Sequence, residues 1–204
     1  MKKFAAAFAL AIVAGAASAS GITIKTGQTF ESGLADGNAY RTDVTNAVAA
    51  SAAVAVSDYS SLGINLRDYA LESTIKFDVT SATSFDFRAG VDFGGGGALF
   101  LDGVLLDSKS TDMWWNYSYN DANQFLAGSS GSALGVGVHT LTLYGFEGCC
   151  SGNSQVQFST NGGQSFTSFS STDGLPAVPE AQNAAMLLAG LGLLATLTRR
   201  RKQA

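Results

Sequence analysis

The chain of 204 residues contains two cysteines, and they are adjacent: Cys149 and Cys150, in the stretch GFEGCCSGN at 145–153. Neighbouring thiols cannot join distant parts of a fold, so their chemistry is local. A disulfide between them must fit a Cα separation near 3.8 Å, below the ~4.4 Å at which ordinary disulfides begin, and would be strained and comparatively easy to reduce. The flanking Gly148 and Gly152 have the backbone freedom to shape such a loop. An intermolecular bridge is a second use of the pair and would suit a surface or matrix component. Metal ligation is the third and weakest, because Glu147 is the only other good ligand nearby and zinc takes four. Outside the cytoplasm thiols oxidise, which favours the vicinal disulfide.

His139 is the only histidine, so any Ser-His-Asp or histidine-based metal site must use it. It sits inside VHTLTLY, a regular alternation, where a structural residue hydrogen-bonded at a sheet face is expected. No Gly-x-Ser-x-Gly elbow occurs, and the run Gly94 to Gly97 lacks the Lys-Ser/Thr pair of a phosphate loop. No catalytic and no metal-ligating residue is therefore assigned. The segment TDMWWNYSYND at 111–121 is different: flat rings stand beside Asn and Asp, as a sugar or peptide ligand would need. Trp114 and Trp115, with Asp92 and Asp102, are the candidate ligand-binding residues. Against this, Trp115, Tyr117 and Tyr119 alternate, so one face of the segment could instead be buried.

The elements that must position these residues are strands. Alternation of period two recurs in ITIKT, STIKFDV, SFDFRAGVDF, ALFLDGVLLD, VHTLTLYGF and SQVQFS. Asp102-Gly103 and Asn161-Gly162 supply turns that tolerate positive φ. The expectation is an all-β protein with a single β-sandwich, jelly-roll-like, over residues 20–175. The stretch AVAASAAVAV at 47–56 fits a short helix or a buried strand equally well. Residues 20–175 hold six Lys/Arg against fifteen Asp/Glu, a net charge of −9 that excludes a nucleic-acid partner. It suits cations, neutral sugars or plain solubility.

The two ends read as targeting segments. Residues 1–19 have two lysines, an apolar run and Ala17-Ser18-Ala19, the layout of a signal peptide cleaved after Ala19. Residues 176–204 have Val178, Pro179 and Glu180, an uncharged run from Ala184 to Thr198, and the cluster Arg199, Arg200, Arg201 and Lys202. Basic residues behind a span stay cytoplasmic, which puts the body on the other side of the membrane.

This tail resembles the PEP-CTERM sorting signal of exosortase-processed bacterial proteins, with Ala181 where a second proline is usual. Together with Cys149, Cys150 and Gly152 it resembles the CCXG group of such proteins. The resemblance implies an exosortase-type sorting enzyme as partner, transient membrane anchoring, and release or attachment at the cell surface. Within the body, ALFLDG at 98–103 and GVHTLTLY at 137–144 resemble the PA14 and lectin-like β-sandwich domains. Sugar-binding members hold calcium with paired aspartates before the first of these strands; those places are Gly94 and Gly95 here, so no cofactor is expected and calcium is not supported.

The function expected is that of an exported, non-catalytic surface or extracellular-matrix protein associating with exopolysaccharide or other surface material. A lectin-like module with a specific glycan ligand is the alternative, and a secreted hydrolase or thiol-redox protein the second.

Overall fold

In the computed structural model, residues 21–59, 66–150, 152–170 and 173 are described, with the backbone of 62–63. The expected signal peptide and sorting segment, with Ala19, Val178, Pro179, Glu180, Arg199, Arg200, Arg201 and Lys202, lie outside them. In chain order the elements are β1 (Gly21–Gly27), α1 (Gly37–Ala47), β2 (Val54–Val56), β3 (Leu62–Gly63), β4 (Tyr69–Val79), β5 (Asp86–Gly90), β6 (Asp92–Phe93), β7 (Gly96–Leu101), β8 (Val104–Lys109), β9 (Met113–Trp114), β10 (Phe125–Ser129), β11 (Gly137–Glu147), β12 (Asn153–Ser159) and β13 (Thr167–Ser168).

One sheet runs β2-β1-β4-β11-β7-β8 and the second β10-β5-β12-β13, with β3 also pairing β12; β6 and β9 form a separate ribbon. The pairings are antiparallel. Alternation decides which side chains enter the sandwich. In β4, Leu71, Ile75, Phe77 and Val79 are buried while Lys76 is exposed. In β11, Leu141 and Leu143 are buried, and Thr140, Thr142 and Tyr144 between them are half-buried. From the facing sheet come Phe87, Val156 and Phe158, joined by Phe85 and Phe169.

The first sheet is also covered on its outer face. Helix α1 buries Tyr40 and Val44 against Ala70, Ala98, Phe100 and Phe146, the residues of β4, β7 and β11 that point away from the sandwich. All of β7 is consequently buried. The helix starts where Asp36 accepts hydrogen bonds from the Asn38 and Ala39 N–H groups at 2.8 and 3.0 Å. It ends at Ala47, where AVAASAAVAV was expected to begin a helix or a strand. That stretch instead spans the helix terminus, a turn and the edge strand β2, in which Val54 is exposed. Its apolar residues are too small to hold a helix without a facing groove, whereas Asp36 and the Tyr40/Val44 spacing supply both cap and stripe.

Candidate functional site

At one end of the sandwich, β6 leads into the glycine run 94–97, β11 delivers Glu147 into the cysteine loop, and β9 brings Trp114 alongside Asp92 in register. These segments enclose an open cleft of about 420 Å³ lined by Phe30, Asp68, Asp92, Asp112, Trp114 and Glu147, with Gly94, Gly148, Cys149 and Cys150 completing its wall. Trp114 is 60% exposed. Past it, Asp112 and Trp114 also line an adjoining cleft of about 460 Å³ with Asn116, Ser118, Asn120, Asp121 and Gln124. The result is a groove with an exposed indole between two sets of polar side chains and no Lys or Arg in either lining.

Glu147 organises the rim. Buried to 2% exposure, it accepts the Gly94 N–H on one oxygen at 2.6 Å and the Cys149 N–H on the other at 2.9 Å. One carboxylate thus ties the glycine run to the cysteine loop. Burial raises its pKa, the Gly94 and Cys149 N–H groups oppose the rise, and the charge of Asp112 adds to it.

Asp92 is 8% exposed. Burial first, then the charges of Glu147 and Asp112, push its carboxyl up to about 6, against a hydrogen bond from the Gly152 N–H. A carboxyl whose folded value is raised destabilises the fold as it ionises, so this contribution worsens as pH rises from the ordinary 3.8 to about 6 and is complete above it. Asp92→Asn keeps an acceptor for Gly152 and removes the charge. It is expected to be more stable than the wild type above about pH 6 and equal to it below about pH 4, as measured by urea unfolding across that range. A wild-type advantage at neutral pH would refute this assignment.

Cys149 and Cys150 are bonded to each other, with Cα atoms 3.7 Å apart, and both are exposed. The loop around them uses its glycines differently from the expectation. The left-handed residue is Cys150, at φ +73°, whereas neither Gly148 nor Gly152 has a positive φ. Gly152 is needed for contact instead, since a Cβ there would run into the Asp92 carboxylate. At Gly148 a Cβ would meet the Phe30 ring at 3.0 Å.

Two sequence candidates are corrected. Trp115 is 3% exposed and packs against Tyr117 and Tyr119, with ring centroids 5.3 and 5.5 Å away; only its neighbour Trp114 faces the groove. Asp102 lies beyond the far end of β7, on the order of 20 Å of strand away from the cleft. It forms the β7–β8 turn, with φ +49° followed by +80° at Gly103, and accepts the Thr140 N–H at 2.8 Å. Its other oxygen lies 2.7 Å from His139 Nδ1, while His139 Nε2 lies 2.9 Å from the Gly135 carbonyl. Both ring nitrogens therefore face acceptors, an arrangement that favours the protonated ring. Burial lowers the His139 pKa, but the hydrogen bonds and the charges of Asp102 and Asp78 outweigh it and hold it above the ordinary histidine value.

Asp68, Asp112 and Phe30 enter the cleft without any signal in the sequence, because nothing local marks loop residues that converge only in the fold. The two places at which paired aspartates would hold calcium carry no ligand. Gly94 offers no side-chain oxygen. Gly95 has no room for a side chain, since a Cβ would collide with the Glu31 carbonyl and come within 2.8 Å of Phe146 Cβ. Among the described residues, no group of three or more His, Cys, Asp or Glu is placed to hold a metal ion.

A third cleft, of about 360 Å³, lies on the second sheet. There the Arg88 guanidinium is held between Tyr119 and Phe166, 3.9 Å from each ring centre, with its Nε donating to Gln157 at 2.6 Å.

The two-layer antiparallel sandwich, with the loops around Trp114 gathered at one end, is similar in fold to solved PA14 domains. The PA14 sugar-binding domain from an RTX adhesin is similar over 79% of this chain and 99% of its own, at 13% identity and a TM-score of 0.52. The PA14 domain of the MpAFP antifreeze protein is similar over 77% of this chain and 90% of its own, at 9% identity and 0.53. The epithelial adhesin 9 A domain from Candida glabrata, solved in complex with Galb1-4GlcNAc, is similar over 82% of this chain and 93% of its own, at 10% identity and 0.52. No protein-family model matches the chain, and no curated protein matches it by sequence.

Proposed function

We propose that this domain is a non-catalytic, lectin-like module that binds saccharide in the groove around Trp114. The observation that carries the reading is Trp114 itself: a large ring left 60% exposed at the junction of two clefts, beside Asp68 and Asp112 in one and Asn116, Ser118, Asn120, Asp121 and Gln124 in the other. An exposed indole offers a flat apolar face to a pyranose, and Asp, Asn, Ser and Gln beside it engage hydroxyls. The sugar-binding neighbours share the fold and support this reading over a purely structural matrix role.

The wider setting belongs to the same proposal. The N-terminal segment exports the protein, and an exosortase-type enzyme processes the PEP-CTERM-like tail after transient anchoring. The CCXG-type body then works at the cell surface or in the extracellular matrix, where exopolysaccharide is the natural partner.

A glycan array probed with wild type and Trp114→Ala tests the assignment. Losing the ring's apolar contact, about 2 kcal/mol, lowers affinity roughly thirty-fold. Identical array profiles for the two proteins would exclude the groove as the binding site.

A further inference from the structure

The Trp114 groove leaves one feature unused: an exposed disulfide on its wall. In sugar-binding sandwiches that carry paired aspartates, a cation can fix the loops. Here the equivalent places are Gly94 and Gly95, which supply no carboxylate, and Gly95 has no room for one. The loop is fixed by other means. Glu147 clamps Gly94 and Cys149 through its two oxygens. The Gly152 N–H is bonded to Asp92, whose buried side chain leaves Gly152 no Cβ. Between these two anchors, the Cys149–Cys150 bond closes the backbone on itself, with Cys150 held at φ +73°.

The anchors also place the disulfide relative to Trp114. Asp92 is paired in register with Trp114 across the β6–β9 ribbon and packs against Gly152, at the end of the cysteine loop. Trp114, Asp92 and the disulfide thus line the same cleft. Two exposed sulfurs form a rigid, polarizable surface without hydrogen-bonding demands, suited to the apolar face of a pyranose. The carboxylates of Asp68, Asp92 and Asp112 lie around that surface. Hydroxyl groups donate well to carboxylates, whereas a uronic or sulfated sugar would bring like charge into a cleft lined by no Lys or Arg.

Resting on the saccharide reading, we infer that the Cys149–Cys150 disulfide is itself a ligand-contacting wall of the groove, in a metal-independent site selective for non-anionic pyranosides. Oxidised, the pair presents one fixed surface. Reduction, which adds two electrons and two protons and gives two thiols, opens the small ring that the two adjacent residues close and dissolves that surface.

The test is an array of neutral oligosaccharides printed beside uronic-acid oligosaccharides. It is probed with the exported protein in EDTA, in calcium, and after phosphine reduction with the thiols blocked. Neutral-glycan binding is expected to be unchanged between EDTA and calcium and to fall at least about tenfold on reduction. Cys149→Ser/Cys150→Ser is expected to show the same loss. Near-UV circular dichroism reports whether each form is folded; if the double variant is not, removing the phosphine without blocking and reoxidising the wild type must restore binding. Neutral-glycan binding that needs calcium, or that survives reduction unchanged, overturns the inference and leaves the saccharide reading standing. Preference for uronic-acid glycans overturns the ligand class. Absence of binding to every saccharide overturns the inference and the saccharide reading together.

Discussion

Gly95→Ala is expected to destabilise the domain by about 3 kcal/mol, at the upper end of what a single added methyl does in a packed site. The new Cβ would collide with the Glu31 carbonyl, lie 2.8 Å from Phe146 Cβ and 3.1 Å from the Phe30 ring. The two nearest of these cannot move freely. Phe146 is fully buried under α1, and Glu31 contributes backbone. The Gly95 carbonyl is moreover held by the Tyr40 hydroxyl at 2.8 Å, so the chain cannot back away without breaking a buried hydrogen bond. Gly94→Ala is the control. Its nearest neighbour would be Glu147 Oε2 at 3.4 Å, an ordinary contact, and a change within about 1 kcal/mol is expected. Urea denaturation of the two variants decides it, and equal stabilities would remove the steric reason for the glycine at position 95.

Phe77→Ala is expected to cost about 4 kcal/mol, lowering Tm by roughly 10 °C. Phe77 is fully buried and packs on Phe85, Phe87 and Phe169 with centroid separations of 5.4, 6.0 and 5.5 Å, and on the His139 ring at 5.9 Å. It bridges the two sheets through rings that cannot collapse into the space it leaves. Thermal unfolding followed by calorimetry measures the loss; a shift of only a degree or two would mean that the sandwich is not held at this point. Trp114→Ala, by contrast, removes an exposed ring and is expected to leave Tm nearly unchanged. Loss of binding in that variant would then report on the groove and not on folding.

The sandwich was largely legible in the sequence because its strands alternate so regularly. VHTLTLY places Leu141 and Leu143 inward, and ALFLDGVLLD folds back at Asp102-Gly103, where both residues have positive φ. Helix α1 was missed because its apolar stripe rests on Tyr40, Val44 and Val48, too sparse to stand out beside the alanine-rich stretch that follows. The groove was legible only in part. Alternation identified Trp115, Tyr117 and Tyr119 as a set with a buried option, but β9 is two residues long and gives no parity to separate Trp114 from Trp115. Asp102 resembled Asp92 as a carboxylate beside a strand, yet the two sit at opposite ends of β7. Glu147 looked like a spare ligand for the cysteines. Its actual partners, the N–H groups of Gly94 and Cys149, lie on two loops brought together only by the pairing of β7 with β11.

The most direct measurement is the set of backbone and indole N–H chemical-shift changes when the purified domain is titrated with the neutral oligosaccharide that the array selects. The largest shifts are expected at the Trp114 indole and along Asp92, Gly94, Asp112 and Glu147 to Cys150, with Trp115 and Asp102 little affected. Shifts confined to Arg88, Tyr119 and Phe166, or no shifts at saturating sugar, would contradict the assignment of the groove.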